Sequence, residues 1–290
     1  MKRFTILIPI YNDWESLEKL LIEINESIKN IQNTIFDCII VNDHSTIKRP
    51  KINIPSNINL IKIVNMKENR GHARCNAFGI KYLSTDPKLD YVILMDGDGE
   101  DRPEEIKLLV DKVLTEPNVS VVAKRIKRSE GPLFQLLYYI HKYLTLFTTG
   151  KLINFGNYSC LTKNDLFILS SKASLWSSFS GSFKRYIKNY NEIDSFRGMR
   201  FFGPSQMSLF KLIIHSTSII TVFKNRVFFI SIIVFILMSY LTIFLNFNFL
   251  FFQILICFFN ILVFIVSFRE SEIKLKNSEA NIKNIEKITH

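Results

Sequence analysis

Asp96, Asp98, Glu100 and Asp101 crowd the turn that follows the apolar run "YVIL" at residues 91–94, and Glu104 and Glu105 follow closely. Carboxylates set so near one another repel unless a cation sits among them, and all-oxygen ligands select hard ions such as Mg²⁺ or Mn²⁺. Mg²⁺ is usually held by one or two carboxylates plus the phosphates of a substrate, so a diphosphate-bearing small molecule is the natural second partner. Part of the cluster has a plainer use. Glu104 and Glu105 follow Pro103 and suit the positively polarised first turn of a helix. Asp101 fits a cap and a site equally well, whereas capping does not account for Asp98.

Other phosphate binders are excluded by pattern. No G-x-x-x-x-G-K-[ST] occurs, and the first apolar run ends in "PIYND" instead of a G-x-G-x-x-G turn. The elements around the acidic turn alternate. Strand-like runs at 4–11, 36–42, 59–65, 90–96 and 119–125 are separated by helical patterns, among them "WESLEKLLIEINESIKN", which Asn12 or Asp13 can cap, a helix over about 72–84 and one from Pro103. That order predicts an α/β domain with a mainly parallel sheet and helices on both faces. Ligands of such sheets lie beyond the carboxyl ends of the strands. Tyr11, Asn12 and Asp13 then share one rim with Asn42 and Asp43, with Asp96 and Asp98, and with Arg125.

The C-terminal third is of a different kind. From Val227 to Phe268 there is no Asp, Glu, Lys, Arg or His, a length that fits two membrane spans, 227–245 and 249–268, with Asn246-Phe247-Asn248 as the hairpin. Lys224 and Arg226 precede the first span and Arg269, Lys274 and Lys276 follow the second, so the positive-inside rule places both flanks and both termini in the cytoplasm. The chain carries 37 Lys+Arg against 26 Asp+Glu, a net charge of +11. Ser195 to Arg226 is free of acids and leads into the first span, so anionic lipid head groups explain the excess better than nucleic acid does. The organisation expected is therefore a cytoplasmic domain over 1–195, a juxtamembrane interfacial segment over 196–226 that includes an amphipathic stretch at 205–224, a hairpin over 227–268, and a polar, helical cytoplasmic tail over 269–290. Cys38, Cys75, Cys160 and Cys257 lack metal-site spacing and are expected as free thiols in a reducing compartment. His44 and His72 read as solvated loop histidines, His141 and His215 have no partner pattern, and Trp14 and Trp176 read as packing residues.

The motifs resemble those of the family 2 glycosyltransferases, within them the dolichol-phosphate mannose synthase and polyprenyl-phosphate glycosyltransferase type. "ILIPIYND" is similar to the family's first-strand motif, "IIVNDHST" to V-D-D-G-S, "NRGHARCNAFGI" to N-x-G-x-x-x-A-x-N-x-G-I, "LMDGDGEDRPEEI" to D-A-D-x-Q-x-x-P-E, "VVAKRIKRSEG" to V-V-G-x-R-x-x-x-x-G, and "RFFGPSQM" to R-x-x-G-x-S-K. The resemblance implies a nucleotide-sugar-binding, GT-A-like fold. It implies that Pro9, Tyr11, Asp13 and Asp43 line a nucleoside pocket, that Asp96 reaches ribose or a metal-bound water, and that Asp98 binds the divalent ion with Asp96 and Glu100 beside it. Arg125 would pair with the donor diphosphate, for which a guanidinium fork is suited, and Arg200 and Ser205 would hold the phosphate of a lipid acceptor. Three positions depart from the pattern. Asn42 replaces the first Asp of V-D-D, Gln206 replaces the Lys after Ser205, and "NFGNYSCL" puts Asn154, Asn157 and Ser159 where the family has two Asp and an Arg.

The implied reaction is an inverting transfer from a nucleotide-diphosphate sugar to a polyprenyl phosphate, with stabilisation of the leaving diphosphate as the main catalytic term. A phosphate monoester is mostly ionised at neutral pH and needs no base. A hydroxyl on a lipid-linked glycan is the alternative acceptor and would need one, for which Asp101 is the candidate. A third reading is a non-catalytic membrane scaffold that binds nucleotide sugars, against which Asp96, Asp98 and Arg125 argue.

Overall fold

The computed structural model describes residues 1–127, 132–204, 208–245 and 247–290. In chain order the elements are β1 (Lys2–Ile10), α1 (Trp14–Ile28), β2 (Thr34–Asn42), β3 (Leu60–Met66), α2 (His72–Leu83), β4 (Tyr91–Leu94), α3 (Ile106–Thr115) and β5 (Ser120–Lys127). They are followed by α4 (Pro132–Thr149), β6 (Phe155–Thr162), α5 (Lys163–Ser170), α6 (Phe179–Tyr186), β7 (Tyr190–Phe196) and α7 (Leu209–Thr221). Last come α8 (Lys224–Leu245), α9 (Leu250–Ser267), α10 (Glu272–Lys276) and β8 (Ile282–Ile288).

The strands form one eight-stranded sheet in the order β7-β5-β6-β4-β1-β2-β3-β8. β1 runs parallel to β2 and β4, β2 to β3, and β5 to β7, while β6 is antiparallel to β4 and β5 and β8 is antiparallel to β3. The expected mainly parallel sheet is therefore present, with β6 inserted between its two parallel blocks. Side chains alternate across it. Ile6 and Ile8 join Leu17, Leu20 and Leu109 on the face covered by α1 and α3. Leu7 joins Phe78, Leu166 and Phe183 on the face covered by α2, α5 and α6. Both faces of β1, β2 and β4 are buried, which is why these strands read as continuous apolar runs.

Register sets the rim. Ile10 pairs with Asn42 and Asn42 with Asn65, and Leu7 pairs with Leu94, so the residues just past β1, β2 and β4 emerge at one edge.

The C-terminal tail differs from expectation. It is not a helix: after the single turn of α10 it returns to the domain as β8 and pairs with β3, Ile285 opposite Val64 and Ile288 opposite Ile61. The three-residue spacing of Ile282, Ile285 and Ile288 imitates a helical face. In the strand the three do not share a face: Ile282 and Ile288 pack against different apolar clusters and Ile285 is exposed.

The helix cap anticipated for α1 also differs. Asp13 occupies the N-cap position without a side-chain cap bond, and Asn12 adopts φ 54°, its Oδ1 accepting from the N–H groups of Thr46 (2.8 Å) and Ile47 (3.1 Å). Helix α3 begins at Ile106 after one 3-10 turn, Pro103–Glu105. The Glu105 carboxylate leaves that turn to accept from Ser195 Oγ (2.6 Å) and Phe196 N–H (2.9 Å), tying the start of α3 to β7.

Helices α8 and α9 have 22 and 18 residues, about 33 and 27 Å at 1.5 Å per residue. Both are long and apolar enough to cross a membrane. Phe229, Ile236, Ile243, Phe251, Phe258 and Phe264 are exposed on them. At their base Val227 and Val263 are buried against Ile220 of α7. Asn246 of the expected hairpin lies outside the described residues, as do Ser205 and Gln206.

Candidate active site

Four loops converge on the rim: residues 11–13 after β1, 43–47 after β2, 95–102 after β4, and 197–202 after β7. The second is braced from within. Asp43 is buried, and its two carboxylate oxygens accept from the backbone N–H groups of Arg70 and Gly71, each at 2.8 Å. Asn42, standing where the motif has an acid, donates from Nδ2 to Asn65 Oδ1 (2.8 Å) and accepts from Ser45 N–H (3.0 Å). An amide performs both tasks, which a carboxylate, having no donor, would not.

The acidic turn separates into three roles. Asp101 faces inward, where Oδ2 accepts from the Asp96 N–H (2.9 Å) and holds the turn closed. Burial, and then the nearby Asp96, push its carboxyl up to about 8. Asp96 meets the opposite balance. Burial raises it, but His72, a hydrogen bond from Asn157 (3.2 Å) and the charge of Arg125 together hold it well below the usual carboxylate range. His72 Nε2 lies 3.1 Å from Asp96 Oδ1; desolvation works against the imidazolium, but the charge of Asp96, its hydrogen bond and the charges of Asp98 and Asp101 together outweigh it and raise His72 above its ordinary value. Asp98 is pushed up to about 6 by burial and by Asp96, with Arg200 and Arg197 only partly offsetting them.

The segment after β7 supplies those arginines. Arg200 donates from Nη1 to Asp98 Oδ2 (2.9 Å) and from Nη2 to Asp13, while Arg197 pairs with Glu100. The segment is locked by backbone bonds from Gly198 N–H to Glu100 O (2.8 Å) and from Phe201 N–H to Asp98 O (2.9 Å). Gly99, at φ 87°, lies directly under the Phe201 ring, where a Cβ would approach to 2.6 Å. Only glycine satisfies both demands. Arg125 arrives from β5 with its guanidinium over Gly156, close enough that a Cβ there would lie 2.5 Å from Nη2. Among the described residues that guanidinium has no ion-pair partner, although Asp96 and Asp101 are near enough to feel its charge.

Of the residues singled out from sequence, Asp13, Asp43, Asp96, Asp98, Glu100 and Arg125 share this rim, with Pro9 and Tyr11 on β1 and the loop after it. Tyr11 is exposed. Among the described residues no group of three or more His, Cys, Asp or Glu side chains is arranged to hold a metal ion; Glu100 is paired with Arg197 and Asp98 with Arg200. Arg200, expected at an acceptor phosphate, instead bridges Asp13 and Asp98. Asp101, the candidate base for a hydroxyl acceptor, is turned away from the rim. His72 is exposed, as anticipated, but it opens α2 instead of lying in a loop and sits against Asp96, and with Arg197 it was missed by sequence reasoning. The signal available for His72 was its place at the N-terminus of a helix that topology delivers to the rim. Trp14 and Trp176 are buried packing residues, as expected, and all four cysteines are free.

Residues 5–202, which carry this rim, match the profile of Glycosyl transferase family 2. The chain belongs to that family. As a family 2 glycosyltransferase it is a transferase with a GT-A-like, mostly parallel α/β fold. That fold is shared with glucosyl-3-phosphoglycerate synthase from Mycobacterium tuberculosis. Its structure with Mn²⁺, uridine diphosphate and glucosyl-3-phosphoglycerate is 14% identical, with a TM-score of 0.51 over 78% of this chain and 80% of that one. The same synthase with Mn²⁺, uridine diphosphate and phosphoglyceric acid is 14% identical, TM-score 0.53, over 78% of each chain. Its complex with uridine diphosphate alone is 15% identical, TM-score 0.51, over 78% and 80%. No curated protein sequence matches this glycosyltransferase significantly.

The bracing of Asp43 is directly testable. Asp43→Asn places an amide NH₂ against one of the two backbone N–H donors and removes a charge-assisted bond, at a cost of about 1–3 kcal/mol. Thermal unfolding of the purified variant is expected to show a lowered midpoint, and an unchanged midpoint would show that the loop is held by other contacts.

Proposed function

We propose that this glycosyltransferase is an inverting, membrane-anchored enzyme that moves a sugar from a nucleotide-diphosphate donor to a polyprenyl phosphate at the cytoplasmic face. The carrying observation is the rim itself: Asp96, Asp98 and an Arg125 guanidinium without an ion-pair partner among the described residues lie at the carboxyl ends of β4 and β5, in a chain whose two long apolar helices leave from the same domain.

Pro9, Tyr11, Asp13 and Asp43 line the nucleoside end, with Asp43 accepting from the base. Asp96 reaches ribose, and Arg125 offers its fork to the diphosphate. An all-oxygen donor set fits a hard divalent ion, and the raised Asp98 marks a site short of positive charge, so Asp98 with Asp96 would hold Mg²⁺ or Mn²⁺, and Glu100 joins them once released from Arg197. That ion supplies neutralisation of the departing diphosphate. The structures of the Mycobacterium tuberculosis synthase carry Mn²⁺ and uridine diphosphate, which supports a similar donor here.

A phosphate acceptor is favoured by what the rim lacks. Asp101 is turned inward, Asn154 and Asn157 stand in place of acids, and His72 Nε2 is already engaged, 3.1 Å from Asp96 Oδ1 and 2.8 Å from Asn157 Nδ2. A phosphate monoester is an adequate nucleophile without a base, whereas a hydroxyl is not. Anchoring is supported by the tail. Strands β1 and β8 belong to one sheet, which supports an even number of crossings between them, with α8 and α9 as the hairpin. Cations flank the pair, and Phe247-Asn248 between them carries no charge.

Membranes incubated with labelled nucleotide sugars and short polyprenyl phosphates are expected to yield a mild-acid-labile glycolipid, and product formed only on a glycan-bearing lipid would replace the acceptor assignment. Asp98→Ala is expected to abolish turnover; near-wild-type rates would remove the metal assignment. Reporters fused before Met1 and after His290 should both read cytoplasmic, and opposite readings would refute the hairpin.

A further inference from the structure

Helix α4 carries its polarity inside out. Tyr139, Ile140, Tyr143, Leu146 and Phe147 are exposed on it, Tyr143 at 61% and Phe147 at 63%. At about 100° per residue these five fall within an arc of roughly 120°. Thr145, Thr148 and Thr149 on the opposite arc are buried, with Thr148 Oγ1 donating to Leu144 O (2.7 Å) and Thr149 Oγ1 to Thr145 O (2.6 Å). A helix on a water-washed surface turns the other way, hydroxyls out and rings in. Residues 132–149 also contain no Asp or Glu. A contiguous apolar face of this kind marks a surface that meets an apolar partner.

The place of α4 in the fold selects the partner. Leu144 packs with Phe223 and Phe228 against Ile220, Val227 and Val263. Val227 lies in the first turn of α8 and Val263 near the end of α9, so this cluster sits where both apolar helices leave the domain. α4 packs against α8 and α7. Gly150, directly after α4 at φ 66°, lies beneath the Arg226 guanidinium of α8, where any Cβ would collide with it. A cation there also suits the negative end of the α4 dipole. The neighbouring α7, in the stretch whose sequence predicts an interfacial helix, exposes Leu209, Phe210 and Ile213. The face of α4 therefore adjoins the exposed apolar surface of the two long helices at their charged, cytoplasmic end. Tyrosines favour that level, where the ring meets hydrocarbon and the hydroxyl stays among head groups.

Resting on the reading of α8 and α9 as a membrane hairpin, we propose that α4 docks into the cytoplasmic head-group layer of the bilayer, with Tyr139, Ile140, Tyr143, Leu146 and Phe147 in contact with lipid. The membrane contact thus extends into the catalytic domain, beyond the segment 196–226 to which the sequence pattern confined it. α4 joins β5 to β6. One end leads to Arg125, whose guanidinium lies over Gly156, and the other to Asn157, which donates to Asp96 (3.2 Å). Seating α4 in lipid fixes the height of these rim residues above the membrane, where a lipid-borne acceptor arrives.

The test uses the full chain carrying Cys257→Ser in phosphatidylcholine nanodiscs, since Cys38, Cys75 and Cys160 are buried away from a thiol label. A fluorophore is attached in turn at Tyr143→Cys, Phe147→Cys, Ile22→Cys on α1 and Phe258→Cys on α9, all four native residues being exposed. Emission is then quenched either by a nitroxide carried near the lipid carbonyl or by aqueous iodide. Tyr143→Cys and Phe147→Cys are expected to lose emission to the lipid nitroxide and to resist iodide, as Phe258→Cys resists it, while Ile22→Cys shows the reverse. Iodide quenching of Tyr143→Cys and Phe147→Cys equal to that of Ile22→Cys overturns the proposal, and if Phe258→Cys still resists iodide the hairpin stands without it. Resistance of both α4 labels to both quenchers shows that protein, such as a second copy of this chain, covers the face, and overturns the proposal as well. Iodide quenching of Phe258→Cys contradicts the hairpin reading, and the docking of α4 falls with it.

Discussion

A carboxylate keeps its charge in a half-buried turn beside another carboxylate only if positive groups face it, and the loop after β4 is organised around that requirement. His72, Asn157 and Arg125 hold Asp96 low against its burial; burial and then Asp96 raise Asp98, even with Arg200 at 2.9 Å. Asp101 lies deeper still and closes the turn as an acceptor for the Asp96 N–H. The three side chains lie within six residues yet differ in ionisation because each faces a different set of neighbours.

The same constraint links the domain to the segment leading toward α7. Arg197 and Arg200 belong to a stretch without acids, and the structure sets them on Glu100, Asp98 and Asp13. These pairs are only about one-fifth exposed, so solvent screens them less than surface pairs. Whatever binds the acidic turn from outside competes with these guanidiniums, which couples occupancy of the rim to the position of residues 197–202.

Much of the core was legible because it is local. The runs at β1, β2 and β4 are apolar throughout, since both faces of those strands are covered, and the leucines of α1 recur on one face. The rim followed from topology, because parallel strands deliver their carboxyl ends to one edge. The parts that escaped are long-range. β6 enters antiparallel between β4 and β5, β7 returns to the far edge, and β8 pairs with β3 from more than 200 residues away. No local period distinguishes a strand completed by such a partner from a short helix, and Ile282, Ile285 and Ile288 favour the wrong choice. The partner of Arg200 was hidden for the same reason: its positive charge is equally suited to a phosphate or a carboxylate, and only the fold brings Asp13 and Asp98 to it.

At the rim arginines cover carboxylates, and a turn that crowds Asp96 and Asp98 is intelligible if a divalent ion and a diphosphate complete it. Titration calorimetry of the full chain with a panel of nucleoside diphosphates, in Mn²⁺ and in chelator, tests this most directly. The account predicts that Mn²⁺ tightens the preferred nucleotide by about tenfold or more. Equal affinities with and without the ion, or no heat from well-folded protein in either, would contradict it.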